Sequence, residues 1–124
     1  MYTSETSVRV RYAETDKMNY VYYGNYAQYY EIGRVEALRQ LGVSYRSMEE
    51  QGIMLPVYKM SSKFIKPAQY DDLLIIRTSI PELPGTRIHF LYEIHNEGGE
   101  LLNQGETTLV VVDMNTKRPA VMPR

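Results

Sequence analysis

The sequence predicts an α+β protein in which antiparallel strands gather around one long helix. Three observations lead there. A helical pattern rich in Tyr runs over Asn25–Leu41, four strand-like runs follow Pro56, and Gly- or Pro-containing turns separate those runs. Helices grouped early and strands grouped late belong to the α+β class, whereas a parallel sheet would alternate them. The 124 residues predict a single domain. A chain of that length buries roughly two-thirds of the surface it exposes when unfolded, enough to fold on its own core.

The elements follow in order. Ser7–Ala13 sets Val8, Val10 and Tyr12 against Arg9 and Arg11, the alternation of a half-buried strand. Glu14–Tyr23 breaks that alternation and predicts a loop. Asn25 is a good N-cap for the long helix, and Gly42 a good stop after Leu41. Tyr26, Tyr30, Gly33, Ala37 and Leu41 share one face, and Tyr29, Ile32 and Val35 widen it. So wide an apolar face predicts a helix covered on more than one side. Gly33 costs roughly 1 kcal/mol relative to Ala in such a place, which predicts close approach to a sheet or another backbone. Ser44 predicts the cap of a short second helix ending at Gly52. Strands are expected over Pro56–Ile65, Asp72–Ile80, Thr86–His95 and Leu101–Met114, with turns at Leu83-Pro84-Gly85 and Asn96–Gly99. Thr86–His95 places Ile88, Phe90, Tyr92 and Ile94 on one face and Arg87, His89, Glu93 and His95 on the other. Val110–Val112 is expected to be buried on both faces. Pro119–Pro123 reads as a tail.

Composition narrows the function. Fourteen basic and 15 acidic residues leave a net charge of −1, against the field a nucleic-acid partner needs. The absence of Cys excludes disulfides and thiolate catalysis, and fits a reducing compartment. No basic-then-apolar leader and no run of 18 apolar residues is present, so a soluble, cytoplasmic protein without membrane insertion is expected. Twelve tyrosines stand beside two Phe and no Trp, six of them between Tyr20 and Tyr30. A ring with a polar tip suits a half-wet wall, either a pocket lining or a subunit interface, as well as an ordinary core edge.

The chemistry concentrates in Arg11–Tyr26. Asp16 sits in a loop after a strand, and Gly24-Asn25 opens the long helix a few residues later. First-turn N–H groups lack intrahelical partners and suit an oxygen that becomes negative. A loop-shaping or capping acid is the plainer reading of Asp16. His89 and His95, six residues apart on one predicted strand, would lie roughly 20 Å apart and cannot share a metal. Asp71-Asp72 precede a strand and are expected to shape a turn. Glu31 and Arg34 are spaced to pair on the helix. G-x-G-x-x-G and Walker patterns are absent.

Several motifs appear in a telling order: Tyr12, Asp16, Val21 with Tyr22-Tyr23, Asn25-Tyr26 and Glu31, then Gly52-Ile53, Pro56-Val57, Ser62, Phe64, Tyr70-Asp71-Asp72 and Asp113–Pro119. Together they resemble the hotdog-fold acyl-CoA thioesterases, close to the 4-hydroxybenzoyl-CoA thioesterase family, over nearly the whole chain. The resemblance implies a five-stranded antiparallel sheet wrapped around the helix, with residues 1–124 forming one hotdog domain. It implies hydrolysis of an acyl-CoA to free acid and CoA without metal or other cofactor, by homodimers or homotetramers with sites between subunits. It makes Asp16 the catalytic carboxylate and the Tyr23 N–H the donor to the thioester oxygen. Tyr12 becomes a pocket tyrosine, and Gly24, Asn25 and Tyr26 meet the substrate. Tyr23 stands where some members have Tyr and others His. Asn19 stands where many have Gly, and Asn also tolerates left-handed backbone.

Such a reaction makes modest demands. A thiol with pKa near ~8.5, by analogy with Cys, leaves without a strong general acid. Asp16 can activate water or attack the carbonyl itself, and both routes stay open. CoA phosphates call for cations at the pocket mouth, for which Lys63, Lys66, Arg87, Lys117 and Arg118 are candidates. An acyl-acyl-carrier-protein thioesterase and a non-catalytic acyl-CoA-binding module are the alternatives. A dehydratase on the same fold would need His beside the acid, and neither His lies on the Asp16 loop or the long helix.

Overall fold

The computed structural model describes residues 2–122, so Pro123 of the expected tail lies outside it. β1 (Tyr2–Arg9) leads through 3-10 turns at Tyr12–Glu14 and Tyr23–Asn25 into α1 (Tyr26–Gln40) and α2 (Tyr45–Glu50). Then come β2 (Ile53–Met54), β3 (Val57–Phe64), β4 (Leu73–Ile80), β5 (Arg87–His95), β6 (Leu101–Val110) and β7 (Val112–Asp113). Five strands form an antiparallel sheet in the order β1-β4-β5-β6-β3, and β2 pairs with β7 in a separate two-stranded ribbon. This is the sheet-around-helix arrangement the resemblance implies.

The core lies between α1 and the inner face of the sheet. Leu74, Ile76, Thr78 and Ile80 of β4 and Ile88, Phe90, Tyr92 and Ile94 of β5 are all buried there. The strict alternation of β5 produces this, since period-2 residues share one side. Against them α1 buries Tyr26, Tyr29, Tyr30, Gly33, Arg34, Ala37 and Leu38. At Gly33 the helix lies tight on the sheet: a Cβ there would overlap the Thr78 hydroxyl and lie 2.9 Å from Ile76 Cγ2. The Tyr30 ring occupies the space that a Cβ on Gly105 of β6 would need. Beneath it the Tyr30 hydroxyl donates to Asn103 Oδ1 and lies 2.8 Å from Ser62 Oγ.

Four expectations need correcting. β1 starts at Tyr2 and ends at Arg9, not Ala13, because its polar residues are carried by backbone pairing along the whole of β4, Tyr2 to Ile80 through Arg9 to Leu73. Beyond Arg9 the chain turns away, so Tyr12 is exposed and does not continue a buried face. The last strand breaks at Val111; only Val111 is fully buried, while Val110 and Val112 are half-buried. Its final piece turns to pair with β2. Leu41 is exposed because α1 stops at Gln40. There Gly42 adopts φ +85°, and the Val43 and Gly42 N–H groups return to the carbonyls of Leu38 and Arg39, the hydrogen-bond pattern of a Schellman stop. Arg34 forms no pair with Glu31: it is buried, and its Nε donates to the Tyr45 hydroxyl at 2.9 Å.

Candidate active site

The acid loop is a tight ribbon. Thr15 bridges Val21, the Asp16 N–H donates to the Tyr20 carbonyl at 2.8 Å, and the Asn19 N–H closes back on the Asp16 carbonyl at 3.0 Å. Asn19 takes the left-handed conformation, φ +63°, which its short polar side chain tolerates. Within this ribbon Asp16 Oδ1 accepts the N–H groups of Met18 (2.8 Å) and Tyr20 (3.3 Å). The loop-shaping role is therefore real. Oδ2 has no hydrogen-bond partner among the described residues, and the side chain is exposed in the protomer.

The long helix opens differently from the expected N-cap. Tyr22 is extended (φ −62°, ψ 132°), then Tyr23–Asn25 winds as one 3-10 turn before α1. Asn25 is already helical (φ −78°, ψ −12°), and its side chain accepts no N–H. Its Nδ2 instead donates to the Glu14 carbonyl at 2.8 Å. The Asn25 N–H goes to Tyr22 and the Tyr26 N–H to Tyr23. The N–H groups of Tyr23 and Gly24 find no acceptor among the described residues, as the first donors of a helix do.

Glu14 ties the two halves together, and sequence reasoning passed over it. Its side chain is buried. Oε1 accepts the Arg11 N–H and the Tyr29 hydroxyl, each at 2.9 Å, and Oε2 accepts the Arg11 guanidinium at 3.1 and 3.2 Å. Burial alone would raise this carboxyl; the Arg11 N–H, the Tyr29 hydroxyl and the guanidinium outweigh it and hold it below the ordinary carboxylate value. Burial and the Glu14 carboxylate both push the Tyr29 phenol up, so it remains a donor. The only signal in the sequence is the three-residue spacing of Arg11 and Glu14, which does not reveal burial.

The other expected residues scatter. Tyr12 is exposed and meets the edge of Tyr70 at 5.7 Å. The Tyr23 side chain is exposed beside Tyr22, with ring centroids 4.6 Å apart. Tyr26 is buried edge-on to Tyr29 and Phe64, and burial pushes its phenol up to about 12. One edge of Tyr26 still reaches an open groove of about 310 Å3, shared with Tyr20, Val21, Phe64, Ile65 and Lys66. That groove borders the acid loop through Tyr20.

The five candidate cations do not converge within one protomer. Lys63 stands opposite Gln104, and Lys66 pairs with Glu100 near the groove. Arg87 stands opposite Val110 with its guanidinium 4.7 Å from the Tyr58 ring centroid, and Lys117 and Arg118 lie in the turn after β7. Gln104 and Val110 are six residues apart on β6, roughly 20 Å along a strand. His89 and His95 sit at separate places on β5, His89 Nδ1 3.0 Å from Thr108 Oγ1. Among the described residues no cluster of three or more His, Asp or Glu is arranged for a metal, and no helix is long and apolar enough to cross a membrane.

This geometry has close parallels. The family model described as the thioesterase-like superfamily matches residues 10–124. Acyl-CoA thioester hydrolase YbgC of Escherichia coli O157:H7 is 35% identical over 117 residues, which cover 94% of this chain and 87% of the relative. The structure of DHNA-CoA thioesterase from Staphylococcus aureus superposes with a TM-score of 0.93 at 38% identity, over 98% of this chain and 81% of that one. Slr0204, a 1,4-dihydroxy-2-naphthoyl-CoA thioesterase from Synechocystis, superposes with a TM-score of 0.90 at 25% identity, over 98% and 90%.

Proposed function

The chain belongs to the thioesterase-like superfamily, and on that premise we propose that Asp16 and the N–H groups of Tyr23 and Gly24 are the hydrolytic centre of this acyl-CoA thioesterase, carried on one domain. The observation that supports this centre is the state of the Asp16 carboxylate: Oδ1 anchored by two N–H groups, Oδ2 unengaged, on a loop hydrogen-bonded to the helix start. The thioester oxygen lies before the two open N–H groups, which take up its negative charge as the carbonyl carbon becomes tetrahedral. Asp16 Oδ2 either removes a proton from the attacking water or attacks the carbon to give an anhydride that water then cleaves. In both routes the C–S bond breaks, CoA leaves as thiolate, and the acyl group leaves as free acid.

The acyl group occupies the groove edged by Tyr20 and Phe64 in this reading. Lys63 and Lys66 are the protomer's own cations for the CoA phosphates, and Arg87, Lys117 and Arg118 reach CoA only from a neighbouring protomer. Support for a homo-oligomer comes from β3, an edge strand that exposes Val57, Tyr58, Met60 and Phe64. Such an edge is a template for pairing, and a second copy there closes the solvent side of the groove.

Asp16→Asn tests the centre, because Asn keeps the Oδ1 acceptor that shapes the loop. The expected result is a fall in kcat of about 100- to 10,000-fold on an acyl-CoA panel, with Tm unchanged. Full activity would remove Asp16 from the mechanism. Running acyl-carrier-protein thioesters beside the CoA panel identifies the carrier.

A further inference from the structure

The hydrolytic reading leaves two buried charged residues unused, Arg34 and Glu14, and Glu14 is the one beside the acid loop. Glu14 contributes two separate sets of contacts. Its carboxylate is held by three Arg11 donors and the Tyr29 hydroxyl, all between 2.9 and 3.2 Å. Its carbonyl receives the Tyr22 N–H at 2.9 Å and the Asn25 Nδ2 at 2.8 Å. Tyr29 is on the second turn of α1, Tyr22 and Asn25 bracket the open N–H groups of Tyr23 and Gly24, and Asp16 follows Glu14 by two residues. One residue therefore fixes the acid loop and the donor turn relative to each other and to the helix body.

We propose that Glu14 is the positioning residue of this enzyme: its buried carboxylate locks the register between Asp16 and the Tyr23–Gly24 donors. The inference rests on the hydrolytic reading above. Glu14 touches no reacting atom in it. Asp16 and the donor turn stand at opposite ends of one short stretch of chain; the Thr15–Val21 bridge closes the loop, and the Glu14 carbonyl, through Tyr22 and Asn25, holds the donor turn against it. A misplacement of about 1 Å at a reacting centre costs on the order of 100-fold in rate. The carboxylate also draws Arg11 and Tyr29 into one network, so loss of any donor loosens the same joint.

Three variants separate positioning from folding. Arg11 is exposed, so Arg11→Ala removes the guanidinium without opening the core. Tyr29→Phe deletes only the hydroxyl. Glu14→Gln keeps the shape and one acceptor oxygen but drops the charge. Each is assayed with an acyl-CoA that the wild type turns over, well below its Tm, with the folded fraction measured by circular dichroism. Amide exchange at Tyr22 is followed by NMR. The expected result is a fall in kcat of about 10- to 100-fold for fully folded Glu14→Gln, smaller falls of the same kind for the other two, KM within about 3-fold, and faster Tyr22 exchange in all three. Wild-type kcat in folded Glu14→Gln and Arg11→Ala overturns the proposal, as does a loss of activity that only tracks the unfolded fraction. Asp16→Asn is run in parallel: if it is fully active while the Glu14 variants are impaired, the hydrolytic reading fails and the joint stands. If Asp16→Asn is dead and the Glu14 variants are normal, the joint fails alone.

Discussion

Gly33 of α1 lies directly over Thr78 of β4, with no space between them for a methyl group. Thr78 Oγ1 is buried there without a hydrogen-bond partner among the described residues. The helix is thereby seated as low on the sheet as its backbone allows, which sets the height at which its first turn meets the acid loop. Gly33→Ala is expected to destabilise the fold. Overpacking costs about 1–3 kcal/mol, and the helix preference of Ala returns only about 1 kcal/mol of it. Thermal unfolding should show a Tm lower by several degrees. An unchanged or higher Tm would mean that the sheet yields.

Tyr23→Pro tests the donor turn without altering a side chain that the chemistry uses. Tyr22 is already extended, as a residue before Pro prefers, and position 23 opens the 3-10 turn where Pro is tolerated. The substitution removes one open N–H. The expected result is a loss of about 100- to 1000-fold in kcat with the fold intact, whereas Tyr23→Phe retains activity. Equal activities of the two variants would exclude the Tyr23 N–H as an oxyanion donor.

Acid stability reports on Glu14. Its folded carboxyl value lies below the ordinary 4.5, so its ionised form stabilises the fold fully above that pH. The contribution is lost as pH falls through the lower folded value. Urea titrations should therefore show wild type losing its advantage over Glu14→Gln as the pH drops below about 4.5, with the two curves parallel at neutral pH. A pH-independent difference would mean that the charge is immaterial.

The edge strand makes its own prediction. Met60→Asp places a carboxylate among the exposed apolar side chains of β3, an edge strand whose outer side is unpaired in the protomer. Sedimentation should find wild type as a dimer or larger and the variant as a lighter species with reduced acyl-CoA turnover. A monomeric, fully active wild type would separate the activity from assembly.

Where the fold was legible in the sequence, side-chain period carried it. Ile88 to Ile94 alternate, and β5 is where that alternation put it; Gly33 implied close approach, and Thr78 supplies it. Where it was not legible, backbone pairing or distant partners decided. β1 reads as polar through Thr3–Ser7 because its order comes from β4, and the β2–β7 ribbon is too short to leave a pattern. At the proposed site, residue type and spacing marked Asp16 and the helix start as candidates, and the family resemblance supplied their roles. The burial of Glu14 and of Arg34 was invisible, since it depends on Tyr29 and Tyr45, residues 15 and 11 positions away.

The proposed reacting groups lie on one continuous stretch, from Asp16 to Gly24, whereas the far wall of the groove comes from Phe64–Lys66. In the proposed site the first stretch carries the cleavage and, through Tyr20 and Val21, part of the groove, while the second lines the groove alone. A few substitutions in the second segment can retune which acid is released while the first stays untouched. Drift among acyl preferences is then an inexpensive evolutionary move for such an enzyme, and rebuilding its hydrolytic step is not.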